Sequence, residues 1–468
     1  MNAKWELLKN TGIIAISRLS SGLLAFLMLP LMTTSLTQAD YGIVDLAISY
    51  SSIVVSVVLL NLDLGVFRYL VDIRDNRRDV GSVISTAFRA CLPVILLFSL
   101  LFLGASYILS LSLAPWVYCY LLATSAGIFV QQISRGLGRT ISFAISGIIQ
   151  TVVTATGIVI SLLVTTSGAS GVLLSYAFGS LAAVVYCLIA CRLTPRYFVG
   201  PIDRQIRREL LKYSLPLIPN SLSFWIFGLS DRTIISIVLG LSANGVYGVS
   251  NRFSLILTTL VSVFYLSWSE SAALNIHTNR ASRLFSDVLD SGIYFISYSG
   301  VVLVSCVGAF FSFIVDESFS DAYYLIPPLV LAVVFNFVAT FFGGVFTAMK
   351  LTKPIMTSSI LAAIINIATT VSLVFFIGLW AAVLATLLSY GFLAVYRFLQ
   401  VQRRIVVEFK FSTLLKCSML FCSSFLCYYC LPPSINIFSL LFVVALGFIL
   451  GYSRLKSIAI LVAGRLRK

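Results

Sequence analysis

The sequence predicts an all-α polytopic membrane protein. About 14 transmembrane helices form two parallel six-helix lobes about a pseudo-twofold axis along the membrane normal, plus a C-terminal helix pair. Three observations predict it. Of the 468 residues, 59% are hydrophobic and only 10% charged, against about 45–50% apolar and about 25% charged in soluble domains. The apolar residues come in runs of roughly 20 or more, the length that crosses a bilayer. Short stretches of the first half also recur in the second half at a constant offset.

Breaking the chain at charge clusters, Gly/Pro and polar turns gives spans at 10–36, 41–70, 81–109, 114–136, 140–166, 169–192, 209–239, 244–275, 284–315, 322–348, 354–377, 380–401, 411–431 and 435–453. The first run, Gly12 to Leu36, is longer than a signal-peptide core and contains Arg18, so it reads as a span that is not cleaved. Basic residues sort to alternate connections: Lys4/Lys9, Arg74/Arg77/Arg78, Arg135/Arg139, Arg192 to Lys212, Arg280/Arg283, Lys350/Lys353, Arg403 to Lys416 and Arg454 to Lys468. The opposite turns, near Thr37, Ser112, Ser167, Ser242, Glu317, Gly378 and Pro433, contain no Lys or Arg, and carry Asp40, Asp316, Glu317 and Asp321. The positive-inside rule then places both termini in the cytoplasm of a multi-pass protein. The same rule absorbs most of the net charge of +15.

Glu6-Leu7-Leu8-Lys9 recurs as Glu209-Leu210-Leu211-Lys212, and the same offset of 203 places Gly42 on Gly245 and Asn76-Arg77 on Asn279-Arg280. Farther on the register drifts, and Ser175-Tyr176 meets Ser389-Tyr390. The expected organisation is an N-lobe at 1–192, a basic cytoplasmic linker at 193–208, a C-lobe at 209–404, and an appended pair of spans with a basic tail at 405–468. Six spans per copy is an even number, so the copies are parallel, a layout used by alternating-access transporters.

The most informative stretch runs from Ser214 to Arg252, an apolar hairpin turning at Gly240 to Gly245 that carries Asp231, Arg232 and Arg252. A charge at bilayer depth costs about 2.5–3.5 kcal/mol on insertion scales, so such residues face a wet cavity or a partner. Arg18 and Arg89 fall about eight residues into their spans, roughly 12 Å from the cytoplasmic face, and Arg232 and Arg252 the same distance from the outer face. With Arg68 near the inner end of span 2, these five arginines form candidate rungs of an anion-binding interior. The guanidinium fork suits phosphate oxygens. The competing reading is local pairing, Asp63 with Arg68 and Asp231 with an arginine on a neighbouring helix. At offset 203 Glu270 aligns beside Arg68, which makes these two a candidate inner gate.

Several functions are excluded. No basic soluble module is long enough for nucleic-acid binding. Phosphate loops, HExxH and GxSxG are missing, so nothing points to ATP hydrolysis or covalent catalysis, to a metal or to a cofactor. Cys427 and Cys430 have CxxC spacing but lie in an apolar helix without His, and read as small packing residues. His277 lies in a cytoplasmic loop.

Three stretches carry a family resemblance: Ala39-Asp40-Tyr41-Gly42, Leu62 to Arg68 (LDLGVFR), and Leu215-Pro216-Leu217-Ile218-Pro219 through Asp231-Arg232 to Gly245-Val246-Tyr247. Over about residues 1–405 the chain resembles the polysaccharide-export, Wzx-type flippases of the multidrug/oligosaccharidyl-lipid/polysaccharide exporter superfamily. That resemblance implies a transporter of a bacterial inner membrane that moves an undecaprenyl-pyrophosphate-linked oligosaccharide, an O-antigen or other surface-polysaccharide repeat unit, to the periplasmic leaflet. It implies membrane lipids, a polysaccharide polymerase and chain-length machinery as partners. The implied drive is an ion gradient, H+ or Na+, for which Asp63, Asp231 and Glu270 are the candidate coupling groups. A cation-coupled multidrug exporter of the same superfamily would show acids in span 1, where this chain has Arg18 and none. A polysaccharide polymerase or ligase would need a long outer loop.

Overall fold

The computed structural model describes residues 22, 26–73, 77–200, 202–431, 440–447 and 449, with the side chains of 77–78, 219–228, 266 and 352 left aside. Every element among them is helical. The chain forms two compact units, 1–245 and 246–468.

The first unit holds α1 (Leu29–Ser35), α2 (Gln38–Val58), α3 (Leu62–Ile73), α4 (Arg77–Ile108), α5 (Ala114–Gly136), α6 (Thr140–Leu163), α7 (Gly168–Ala190), α8 (Arg196–Val199), α9 (Arg204–Ser214), α10 (Leu217–Val238) and the start of α11 (Leu241–Asn275). The second holds the rest of α11, then α12 (Ala281–Ile314), α13 (Ala322–Ala348), α14 (Thr352–Ile377), α15 (Trp380–Gln402) and α16 (Phe411–Cys430). Eleven helices are long and apolar enough to cross a membrane among the described residues. The expected spans 10–36, 209–239 and 435–453 include residues or side chains outside that description.

Helix starts follow the repeat. α2 and α11 begin at Gln38 and Leu241, the offset of 203, and α4 and α12 at Arg77 and Ala281, one residue more. The pairs α6/α14 (Thr140, Thr352) and α7/α15 (Gly168, Trp380) are both 212 apart.

Two expected spans prove to be broken. Span 2 divides into α2 and α3 at Leu60 and Asn61, which take left-handed φ of 53° and 51°, a conformation that β-carbons disfavour and surrounding packing must impose. Span 7 divides between Ser214 and Leu217, where Pro216 precedes α10 and supplies no backbone N–H to continue the helix before it. The linker is also structured. Asp203 caps α9 by accepting from the N–H groups of Gln205 (2.8 Å) and Ile206 (3.1 Å).

Apolar packing in the first unit centres on Leu59, Leu62, Val66, Ile84, Ile133 and Cys187 and their neighbours. Between α5, α6 and α7 a chain of polar side chains joins the packing. Gln131 donates to Gln150 (3.1 Å), and Gln150 donates to Ser180 (3.2 Å). Lipid offers helices no hydrophobic reason to associate, so small residues and side-chain hydrogen bonds hold such bundles.

In the second unit α13 is the central helix, buried along most of its length. Trp268 donates to the Phe341 carbonyl (2.8 Å) and stacks on the Phe341 ring at 4.3 Å. Tyr323 and Tyr428 stack at 4.0 Å and each hydroxyl donates to the other's carbonyl, at 3.0 and 2.9 Å, so α16 is clasped to α13. In the short turn before α13, Ser318 donates twice to Asp316, from N–H (3.0 Å) and Oγ (2.7 Å). These bonds favour the charged carboxylate and hold it below its ordinary pKa.

Candidate functional site

A buried ion pair and two closely approaching glycines of the first unit lie where α2, α10 and the start of α11 meet. Gly42 and Gly245, equivalent by the repeat, face one another there. A β-carbon on Gly42 would lie 2.1 Å from the Leu241 carbonyl oxygen and 3.1 Å from the Gly245 nitrogen. A β-carbon on Gly245 would lie 2.1 Å from the Gln38 carbonyl oxygen. Gln38 and Leu241 are themselves 203 apart, so the contact is reciprocal. Asn244 donates from Nδ2 to the Gly42 carbonyl (3.0 Å).

Farther along the same helices, Arg232 donates from Nε to Asp45 Oδ2 at 2.7 Å, and both side chains are buried. Beyond them Tyr50 and Thr233 share a hydroxyl–hydroxyl bond of 2.6 Å. Asp231 is buried beside Arg232. Arg252 is half-buried on α11 and Glu270 is exposed on it, both in the second unit.

The other predicted residues are placed differently. Arg18 lies outside the described residues. Arg68 is exposed and pairs with Asp72 at 2.8 Å, one turn along α3, so the expected Asp63–Arg68 pair does not form. Positions i and i+4 share a helix face, whereas Asp63 is five residues from Arg68 and points elsewhere. Asp63 is buried, and its Oδ1 accepts no hydrogen bond among the described residues. Arg89 donates to the Val199 carbonyl (2.8 Å). Together with the Thr86 Oγ1 bond from the Asp203 N–H (3.1 Å) and the edge-on Phe88–Phe198 contact, it docks the linker against α4.

Two residues escaped the sequence reading. Asp45 is the acid opposite Arg232, and Arg397 is a buried cation on α15 whose Nε, NH1 and NH2 donate to Ser358 (3.0 Å), the Ala339 carbonyl (2.9 Å) and Ser359 (3.1 Å). Each is a lone charge within an apolar run, the signal that singled out Arg18 and Arg232.

The second unit contains a cavity of about 890 Å³. It lies among α12, α13, α15 and α16, and residues such as Phe335, Phe398, Phe421, Phe425 and Leu426 line it.

This arrangement defines a class: a multi-pass helical membrane protein with the fold of flippases and multidrug transporters. The chain superposes on the lipid II flippase MurJ in an inward closed conformation with a TM-score of 0.72 at 15% identity, covering 97% of this chain and 100% of that one. It matches an inward-facing multidrug resistance MATE family transporter of the MOP superfamily (TM-score 0.66, 14% identity, 83% and 98% covered). It also matches a MOP-superfamily transporter from Pyrococcus furiosus whose binding pocket is described as having reverse polarity (0.57, 13%, 86% and 98%). The profile of the polysaccharide biosynthesis protein family matches residues 7–268, more than half of the chain, and the chain belongs to that family. No curated protein sequence matches it. The motif resemblance to the polysaccharide-export superfamily thus holds at the level of family and fold.

Proposed function

We propose that the protein is a flippase that carries an undecaprenyl-pyrophosphate-linked oligosaccharide across the bacterial plasma membrane, by alternating access between its two repeats. The observation that carries this reading is the aromatic- and aliphatic-lined cavity of the second unit. A polyprenyl chain is a long apolar ligand that gains by lying against such a surface.

The diphosphate headgroup and first sugars travel through a polar path to which Arg18, Arg232 and Arg252 contribute cationic groups. Arg68 and Arg89 belong to the same proposed set, reached by exchange of their present acceptors. Asp63, Asp231 and Glu270 are the proposed groups for ion coupling. A polymerase and chain-length machinery would take up the product at the outer face.

A strain deleted for the gene tests the reading. It should accumulate lipid-linked oligosaccharide on the inner leaflet and lose the surface polysaccharide, and the intact chain should restore both. Normal surface polysaccharide in the deletion strain, or complementation without loss of the accumulated intermediate, would overturn it. A second test places charge in the cavity. Phe425→Asp, at unchanged protein level, should abolish export, whereas Phe425→Leu should not.

A further inference from the structure

The four tyrosines that join α13 to α16 fall into two pairs. Tyr323 and Tyr428 form the inner pair, which the stack at 4.0 Å and the two crossed hydroxyl bonds already hold shut. Tyr324 and Tyr429 form the outer pair. Their rings are 7° from parallel with centroids 6.4 Å apart, and the residues remain 52% and 41% exposed. The Tyr429 hydroxyl donates to the Tyr324 carbonyl (2.8 Å), which fixes the Tyr429 ring, while the Tyr324 hydroxyl takes no part in the clasp. Tyr429 also lines the apolar cavity, near the end of a stripe along α16 that includes Leu414, Phe421 and Phe425. Asp321 stands three residues before Tyr324, so the two share a face at the start of α13. An aspartate at a helix N-cap ordinarily accepts from the first free N–H groups, but the Asp321 side chain makes no such bond and is exposed. Glu317 is exposed in the turn just before it, and that turn has no lysine or arginine.

Tyrosines at a membrane surface anchor helices at headgroup level. Anchoring requires neither parallel rings nor unengaged carboxylates beside them. A pyranose matches both. One face of the sugar ring presents C–H bonds that lie flat on an aromatic ring, and its rim carries hydroxyls that donate to carboxylates. Tyrosine gives such contact area with little side-chain entropy to lose, and bonds to an ionised acceptor are the stronger class.

We propose that Tyr324 and Tyr429, with Asp321 and Glu317 at their edge, form a carbohydrate platform at the outer rim of the cavity. Its ligand is a glycan of neutral or amino-bearing pyranoses. With carboxylates beside it and no lysine or arginine in the turn, the platform repels uronic acids and the diphosphate alike. The inference rests on the flippase reading for the origin of the glycan: the apolar chain lies in the cavity while the sugars rest on its rim. The capacity to hold sugar does not depend on that reading.

The test titrates the detergent-purified full chain, by calorimetry, with a panel of lipid-free pyranose oligosaccharides that includes the repeat unit of the strain's own surface polysaccharide. At least one neutral member should bind, and more tightly than an oligogalacturonate. Tyr324→Leu keeps an apolar side chain and the clasp, and should weaken binding about fivefold, the size of one aromatic stacking contact. Tyr324→Phe should stay close to the native value. Tyr429→Phe loses the clasp bond but keeps the ring, so it should bind sugar better than Tyr429→Leu. Asp321→Asn should also weaken binding. Native-like binding in Tyr324→Leu, or no binding of any panel member by the native chain, would overturn the platform. Equal losses in Tyr429→Phe and Tyr429→Leu would overturn it too, by reducing Tyr429 to its clasp. If a Tyr429 variant fails to reach the membrane, the two Tyr324 variants decide alone. Surface polysaccharide is scored in the same strains and in the deletion strain. Ring-dependent binding by a chain whose deletion leaves surface polysaccharide intact removes the flippase reading and spares the platform. Polysaccharide lost on deletion, without ring-dependent binding, removes the platform and spares the flippase reading.

Discussion

Arg397 occupies the space that Gly343 leaves empty: a β-carbon on Gly343 would lie 2.9 Å from NH1 of the guanidinium. The cation reaches past α13 and ends on three neutral acceptors, with no carboxylate partner among the described residues. It is therefore a tie between α13, α14 and α15. Arg397→Ala should lower stability by about 2–4 kcal/mol, read as a lower melting temperature of the detergent-purified protein, because it leaves a void and unmet acceptors. Arg397→Met should recover much of that loss, since apolar replacement of a buried charge is often neutral. Equal losses in both would point to a role for the charge itself.

Arg89 provides a second measurable outcome. Its bond to the Val199 carbonyl holds a linker rich in trypsin sites, including Arg196, Arg204, Arg207 and Arg208. Arg89→Ala should speed tryptic cleavage between 192 and 212 several-fold in inverted membrane vesicles. An unchanged cleavage rate together with abolished export would leave Arg89 to the substrate path alone.

Asp63 is buried with an oxygen that no donor meets among the described residues. A carboxyl retained in such a place costs stability, about 1–3 kcal/mol for the unmet group. Asp63→Leu should accordingly leave the melting temperature unchanged or raise it, while abolishing export if the carboxyl couples transport to an ion. Retained export would leave the proposed coupling to Asp231 and Glu270.

Topology is open to direct reporting. Reporter fusions at Ser112 and Ser167 should register the periplasm and a fusion at Arg204 the cytoplasm. The reverse pattern would invert the orientation that the basic residues imply.

Much of the fold was legible because a helix in lipid is recognised from its own residues. The turns expected near Thr37, Ser112, Ser167, Ser242, Glu317 and Gly378 all fall at or within a few residues of helix ends. The breaks inside spans 2 and 7 were less legible. Leu60 and Asn61 carry no glycine to announce a left-handed turn, and the span expected at 209–239 runs across Pro216, where one helix ends and the next begins. Among the charges, the sequence marked Arg232 as needing a partner but not which one. Asp45 lies 187 residues away, beyond any local spacing rule, and Arg68 chose Asp72, its neighbour on the helix face, over Asp63.

By itself the sequence determined the class of protein, an all-helical multi-pass membrane protein, because transfer into lipid depends on each segment separately. The tertiary structure alone decided what Arg232, Arg89 and Arg397 hold, and that Gly42 and Gly245 touch. Pairing depends on two groups at once, and their approach is set by how distant helices pack.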